Sequence, residues 1–244
     1  FETYVLGLKE EIIEETIASS TIGNIVHDSL ELIYKDYVGK RLKIEDLKEM
    51  KEKINTTVQN IIRNYVREEN IYKGKNIIIV ETVKEYVKKV IELDKRTVEK
   101  GNGLKIIAVE SEFENKIRES GVEYKIKGKI DRIDELNGEV RVIDYKSGKK
   151  LRQRNITIKE SEELTKEKGI YNLQLLIYML GIKEEFKEKT IKSGIINLKN
   201  ISEGVLEGVF NGKTVLNNTE MENYKNEIIK IIGNILDTRK VFKN

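Results

Sequence analysis

Two aspartates and a lysine flank a turn in the middle of the chain. Asp131 lies before Asn137-Gly138, a dipeptide typical of a two-residue hairpin turn, and Asp144 and Lys146 lie after it. Counting outward from the turn places Asp131 opposite Asp144, with Cβ atoms about 4.5–5.5 Å apart. Lys146 follows on the same face because strand side chains alternate. Paired carboxylates suit Mg²⁺ or Mn²⁺, and the lysine could hold an attacking water. From the register alone, a metal site and a solvated hairpin face with scattered charge are equally good interpretations.

A run of basic residues follows this hairpin, with no acidic residue among them. Between residues 145 and 159 the run consists of Lys146, Lys149, Lys150, Arg152, Arg154 and Lys159. Basic side chains beside a metal site would bind the phosphates of a nucleic acid. Lys149, Lys150, Arg152 and Arg154 are therefore candidate nucleic-acid contacts, although a basic run alone is more often a solvated loop.

Three further polar residues lie on predicted helices. His27 is the one histidine of the sequence and shares a helix face with Gly23 and Tyr34. A lone histidine on a helix packs against neighbours more often than it binds metal. Gln174 and Tyr178 are four residues apart, so both project from one face of an otherwise apolar helix.

The composition limits the possible classes of site. Hydrophobic residues make up 39% and charged residues 36% of the 244 residues, which is enough apolar material for a core. The absence of cysteine from the sequence excludes disulfides, iron–sulfur clusters, thiolate zinc sites and cysteine nucleophiles. The net charge of +3 is too even to indicate a partner. No apolar run approaches the roughly 20 residues of a membrane helix, and no signal peptide is recognisable. We expect a cytoplasmic protein and, because the sequence opens at Phe1, a fragment of a longer one.

The hydrophobic periodicity changes from helical to strand-like near Gly101-Asn102-Gly103. It predicts helices at about 20–37, 46–65, 80–98 and 171–180, and strands at 104–109, 122–133, 139–146, 191–198 and 205–210. Ser20 and Thr21 are expected to cap the first helix. Thr219 and Glu222 have the spacing of a capping box and are expected to begin a closing helix. We expect one α/β domain of α+β character. Residues of about 1–103 would form a helical elaboration, and about 104–244 a sheet core with the closing helix.

Four blocks of sequence, in this order and spacing, resemble the PD-(D/E)XK nuclease domain of RecB and AddB helicase–nucleases. They are a glycine followed by a helical histidine in residues 23–31, a glycine–aspartate strand in 128–134, a D-x-K strand in 142–148, and Q-x-x-x-Y in 174–178. Each block alone is weak, but together they are specific. The resemblance implies a restriction-endonuclease-like fold, with a central mixed sheet flanked by helices.

The resemblance also implies a role for each matching residue. His27, Asp131 and Asp144 would bind Mg²⁺ or Mn²⁺ together with the main-chain carbonyl of Tyr145, and Lys146 would be the catalytic lysine. Gln174 and Tyr178 would support the site or touch DNA. Glu110 matches, less closely, a glutamate that precedes the glycine–aspartate strand.

The implied function is a metal-dependent DNA nuclease, most simply an exonuclease, in DNA end processing and recombinational repair. AddB-type relatives carry cysteines for an iron–sulfur cluster, so this cysteine-free sequence indicates a cluster-free branch. The sequence contains no P-loop pattern, so a helicase motor is expected elsewhere in the same chain or complex. A catalytically inactive DNA-binding relative and a protein-interaction scaffold are the alternatives.

Overall fold

The first part of the chain is built from helices. The computed structural model describes residues 17–119 and 122–236. It places helices α1 at Ser19–Tyr34, α2 at Ile44–Ile62, the short α3 at Glu68–Ile71 and α4 at Lys75–Glu99. These bounds confirm the three predicted amphipathic helices. The ends of the predicted domain, residues 1–16 and 237–244, lie outside the described residues.

A five-stranded mixed sheet follows the helices. Its strands are β1 at Leu104–Glu119, β2 at Val122–Leu136, β3 at Glu139–Lys146, β5 at Ile191–Asn197 and β6 at Val205–Glu207. They lie in the order β1-β2-β3-β5-β6, and all neighbours are antiparallel except β3 and β5. Helix α5, Ile170–Ile182, lies in the connection between those parallel strands, because a parallel pair requires a long crossover.

A small second sheet corrects one prediction. The expected single strand at 205–210 is two strands, because the chain leaves β6 at Gly208, whose N–H donates to the Ser193 carbonyl at 2.9 Å. The next residues, Val209–Phe210, form β7, which pairs in parallel with β4 at Thr157–Ile158. The chain then enters the closing helix α6 at Asn218–Leu236.

The predicted caps of the first and last helices are wrong. Helix α1 begins at Ser19, with Ala18 as its N-cap residue, so Ser20 and Thr21 lie inside the helix. At α6 the reciprocal capping bonds join Asn217 and Glu220, each main-chain N–H donating to the other side chain at 2.9 Å. Thr219 and Glu222 have the same spacing but lie two residues further along the chain.

The sheet separates two layers of buried apolar side chains. One layer packs helices α1, α2 and α4 against the sheet through residues such as Ile25, Val58, Val87 and Ile143. The other packs α5 and α6 against the opposite face through residues such as Val142, Leu176 and Ile228. This arrangement confirms the predicted fold class, a mixed central sheet flanked by helices. None of the described helices combines the length and apolar character needed to cross a bilayer.

A buried ionic network joins the helical layer to the sheet. Asp94 interrupts the apolar stripe of α4, and its carboxylate accepts two hydrogen bonds from the Arg132 guanidinium at 2.7 and 3.2 Å. The Tyr34 hydroxyl donates to the same carboxylate at 2.6 Å. Arg132 also contacts Asp134 at 2.7 Å, and Arg141 pairs with Asp134 through two bonds. The charge in the apolar stripe is therefore compensated by a partner from β2, directly after Asp131.

Candidate metal centre

The hairpin between β2 and β3 has the predicted register. Asn137 and Gly138 have φ values of 53° and 94°, the positive angles that a type I′ turn requires. The ladder then pairs Leu136 with Glu139 and continues to Arg132 opposite Ile143. Continued by one residue beyond this last pair, the same register would place Asp131 opposite Asp144. The Tyr145 main-chain N–H donates to Oδ2 of Asp131 at 2.7 Å, so this carboxylate has a fixed orientation.

Three side chains from separate elements meet at this point. His27 comes from α1, Glu110 from β1 and Asp131 from β2, and one ligand atom of each lies within 4.8 Å of the others. Nδ1 of His27 is 3.4 Å from Oδ1 of Asp131 and 3.5 Å from Oε1 of Glu110. Its Nε2 is 3.1 Å from the Tyr145 carbonyl oxygen. The predicted ligands His27, Asp131 and the Tyr145 carbonyl are therefore brought together.

Close packing and a strained backbone bring these groups into contact. A Cβ atom on Gly23 would lie 3.0 Å from Oγ of Ser147, so α1 approaches the end of β3 closely, one turn before His27. The β1–β2 register shifts between Ile106 and Ala108. Glu110 has φ of 48°, which is uncommon for a residue with a side chain. Sequence reasoning reached Glu110 through the resemblance alone, because neither irregularity has a pattern in the sequence.

The electrostatics of this cluster favour a cation. Burial lowers the pKa of His27, but hydrogen bonds and the charges of Asp131 and Glu110 outweigh burial and raise the pKa from 6.5 to about 10. Burial raises the pKa of Glu110, yet His27 and Lys129 reverse this effect and hold it below its ordinary value. Without a metal, the imidazolium is the positive charge between two carboxylates and a carbonyl oxygen.

Asp144 lies beside this cluster and has different partners. Lys146 Nζ lies 2.9 Å from Oδ2 of Asp144, and Gln174 donates to Oδ1 at 2.9 Å. Gln174 also contacts the Tyr178 hydroxyl at 2.6 Å. Burial and then the charge of Asp131 raise the pKa of Asp144 to about 6, against the effect of Lys146. The predicted residues Asp144, Lys146, Gln174 and Tyr178 thus form one connected chain on the face of Asp131.

The residues present fit a divalent cation. They offer carboxylate oxygens, one imidazole nitrogen and a carbonyl oxygen, and oxygen-rich sets of this kind suit Mg²⁺ and Mn²⁺. Asp144 is not one of the three side chains that meet within 4.8 Å. It lies on the neighbouring strand, close enough for the charge of Asp131 to raise its pKa. The donor set is therefore larger than the one that the hairpin register indicated, because Glu110 adds a carboxylate.

The four candidate DNA-contacting residues are all exposed. Lys149, Lys150, Arg152 and Arg154 follow β3 directly, and we call these four the basic segment. Within the part of the chain that the structure describes, the segment's one ion pair joins Lys149 Nζ to Glu167 at 3.4 Å, between two side chains that are largely in solvent. Exposed pairs of this kind contribute little to stability, so the segment remains available to a partner.

Comparisons of the sequence identify known proteins that this chain resembles. Among curated proteins, the chain is similar to an ATP-dependent helicase/deoxyribonuclease subunit of Alkaliphilus oremlandii, with 30% identity over 165 residues. The corresponding protein of Alkaliphilus metalliredigens is 31% identical over 169 residues. Each match covers 62% of this chain but only 14% of the relative, so the chain spans a small part of these proteins.

A solved structure and a protein family complete the comparison. The crystal structure of SSO0001 matches over 99% of this chain and 93% of its own, with 18% identity and a TM-score of 0.29, too low to support any argument. The family model of the PD-(D/E)XK nuclease superfamily matches residues 1–242. Because that match extends over nearly the whole chain, this protein belongs to the PD-(D/E)XK nuclease superfamily.

Proposed function

We propose that this chain is a divalent-metal-dependent deoxyribonuclease domain that hydrolyses phosphodiester bonds and leaves a 5′-phosphate. The observation that carries the proposal is the convergence of His27, Glu110 and Asp131 on one point, next to Asp144 and Lys146. Residues from a helix and three strands meet there, and their charges favour a cation. A solvated hairpin face would not bury two aspartates, which are 8% and 2% exposed.

Mg²⁺ or Mn²⁺ would be held by His27, Asp131, Asp144 and the carbonyl oxygen of Tyr145, with Glu110 as a further carboxylate. When bound, such an ion polarises the phosphoryl oxygen and makes a bound water a stronger nucleophile at neutral pH. The chain supplies the orientation of its ligands, because Asp131 accepts the Tyr145 N–H and Asp144 accepts the Gln174 amide.

Lys146 would act at the reacting phosphate. Its ammonium group lies next to the buried Asp144 carboxylate and is itself partly exposed, so it can face both the carboxylate and solvent. A positive charge there offsets the charge that develops on the phosphate and can orient the attacking water. Gln174 and Tyr178 would hold Asp144 in place or contact a bound strand.

DNA is the proposed substrate, and the basic segment would bind its phosphates. The names of the two curated relatives, helicase/deoxyribonuclease subunits, support DNA and a helicase motor in the same chain or complex. From the motifs that resemble RecB and AddB nuclease domains, we also propose exonuclease activity in DNA end processing and recombinational repair, in the cytoplasm.

A cleavage assay tests the proposal. Linear duplex and single-stranded DNA would be incubated with the protein in Mn²⁺, in Mg²⁺ and in excess EDTA. We expect cleavage in either metal and none in EDTA, with 5′-phosphate ends. DNA binding without cleavage in any metal would support an inactive DNA-binding relative. Neither binding nor cleavage would support a protein-interaction scaffold.

A further inference from the structure

A buried asparagine lies at the end of β5, next to Lys146 at the end of β3. Asn197 pairs with Lys146 in the parallel ladder, and its side chain makes three hydrogen bonds. Its amide nitrogen donates to the carbonyl oxygens of Lys146 at 3.1 Å and Lys149 at 2.8 Å. Its Oδ1 accepts the main-chain N–H of Leu151 at 3.2 Å. Both amide hydrogens and the oxygen are therefore used on one stretch of main chain.

That stretch is held by several independent contacts. Leu151 is 2% exposed and anchors the loop in the apolar layer. Asn200 donates to the Leu151 carbonyl at 3.0 Å, and the Leu198 N–H donates to the Lys146 carbonyl at 2.9 Å. The backbone from Lys146 to Leu151 is thus fixed, although Lys149 and Lys150 are exposed to solvent.

Asn197 is fully buried, and a buried amide is tolerated when all of its hydrogen bonds are made, as they are here. An apolar side chain of the same volume would leave the Leu151 N–H and the Lys149 carbonyl without these bonds. The amide therefore serves the loop that joins the proposed catalytic lysine to the basic segment.

We infer that Asn197 is a positioning residue for nucleic-acid binding: its amide fixes the loop between Lys146 and Leu151, so that the basic segment is ordered before a phosphate backbone arrives. The inference rests on the proposed function, in which that segment binds DNA. A loop that is ordered in advance loses less conformational freedom on binding, and the binding affinity rises accordingly. Asn197 itself touches no phosphate.

A double-mutant cycle on the full chain separates this role from a general effect on folding. The four proteins are wild type, Asn197→Ala, a variant with all four residues of the basic segment changed to Ala, and the combination. Affinity for a labelled DNA duplex with a single-stranded overhang is measured in EDTA at several salt concentrations. We expect Asn197→Ala to weaken binding at least about threefold. The slope against salt should not change, because the number of phosphate contacts stays the same.

In the background that lacks the basic segment, Asn197→Ala should have no further effect on affinity. Equal weakening in both backgrounds, or no weakening in the wild-type background, would overturn the inference. If the basic-segment variant alone binds DNA as tightly as wild type, the proposed role of that segment fails, and the inference fails with it.

Two further variants test whether a general loss of stability explains the effect of Asn197→Ala. Asn200→Ala removes the bond to the Leu151 carbonyl and leaves Asn197 in place. We therefore expect a smaller loss of DNA affinity, again only when the basic segment is present. Asn76→Ala removes a buried asparagine in the helical layer, where it accepts the Ile17 N–H. We expect it to lower thermal stability and leave DNA affinity unchanged. Weaker DNA binding by Asn76→Ala would show that instability alone explains the effect of Asn197→Ala.

Discussion

Two aspartates at this site have different partners. Asp131 faces His27 and the Tyr145 N–H, whereas Asp144 faces Lys146 and Gln174. Turn chemistry in the sequence was sufficient to place the two aspartates opposite each other, because a two-residue loop fixes the register. It could not assign partners that come from α1 and α5, because these depend on the packing of distant segments.

We expect Asp144→Ala and Lys146→Ala each to abolish DNA cleavage while DNA binding survives. In the proposed function these side chains would act on the metal and the attacking water, and the basic segment would bind the phosphates. Lys192→Ala is the matched control, because Lys192 lies on the neighbouring strand and pairs with Glu139 at 2.7 Å. Rates are measured with saturating DNA. If both site variants kept more than about a tenth of the wild-type rate, the loss would be only about 1.4 kcal/mol of barrier, too little for these roles.

At the scale of elements, strand β1 is much longer than hydrophobic periodicity predicted. The sequence predicted a strand ending near Val109, but β1 continues to Glu119. In the structure Glu112, Glu114 and Lys116 are exposed on this added part of β1. There Glu114 pairs with Lys125 at 2.7 Å and Lys116 with Glu123 at 2.9 Å. Cross-strand pairs of this kind stabilise a strand whose other face packs against α5. The sequence of one strand does not reveal which residues of another strand will pair with it.

The turn of the β2–β3 hairpin can be tested by a single substitution. Gly138 has φ of 94°, which a residue with a side chain rarely adopts. We expect Gly138→Ala to destabilise the fold by about 1 kcal/mol, measured by urea unfolding. Gly233→Ala is the control, because Gly233 lies in α6, where an added Cβ would meet nothing within 4 Å, and alanine favours a helix. A neutral Gly138→Ala would mean that the turn does not determine the register.

The basic segment should act as an electrostatic element. Changing Lys149, Lys150, Arg152 and Arg154 to Ala should weaken DNA binding most at low salt and flatten the log–log dependence of affinity on salt. The control changes four exposed lysines of the helical layer, Lys48, Lys51, Lys75 and Lys88, to Ala. Affinity is measured by titration at several salt concentrations. An unchanged slope would identify the segment as a solvated loop.

At the scale of the whole molecule, the helices and the sheet are joined by buried charge as well as by apolar contacts. The sequence showed Asp94 as an interruption of the α4 stripe, and only the fold shows that Arg132 compensates it. Arg132 is fully buried, between Asp94 and Asp134. The amphipathic helices followed from periodicity and the mixed central sheet from the family resemblance. This ionic pairing followed from neither, because its partners are 38 residues apart.

We expect Arg132→Met to destabilise the protein by about 3–5 kcal/mol, because it removes the guanidinium from the buried Asp94 carboxylate and leaves Asp134 with Arg141 alone. Arg63→Met removes an exposed pair with Glu68 and should have little effect on stability. Chemical denaturation measures both variants. If Arg132→Met were as stable as Arg63→Met, the buried network would not be what joins the helical layer to the sheet.

Calorimetric titration of Mn²⁺ into the protein tests the central claim most directly. We expect saturable binding to wild type and to Asp36→Asn, a control at an exposed aspartate of the helical layer. Asp131→Asn should bind far more weakly, since it removes one charge between His27 and the Tyr145 N–H. Mn²⁺ at about 100 times its Kd should stabilise wild type by about 2.7 kcal/mol, visible as a higher Tm, and Asp131→Asn should lose most of that increment. Equal Mn²⁺ affinities for wild type and Asp131→Asn would contradict the account, because the ion would then not be bound where these residues meet.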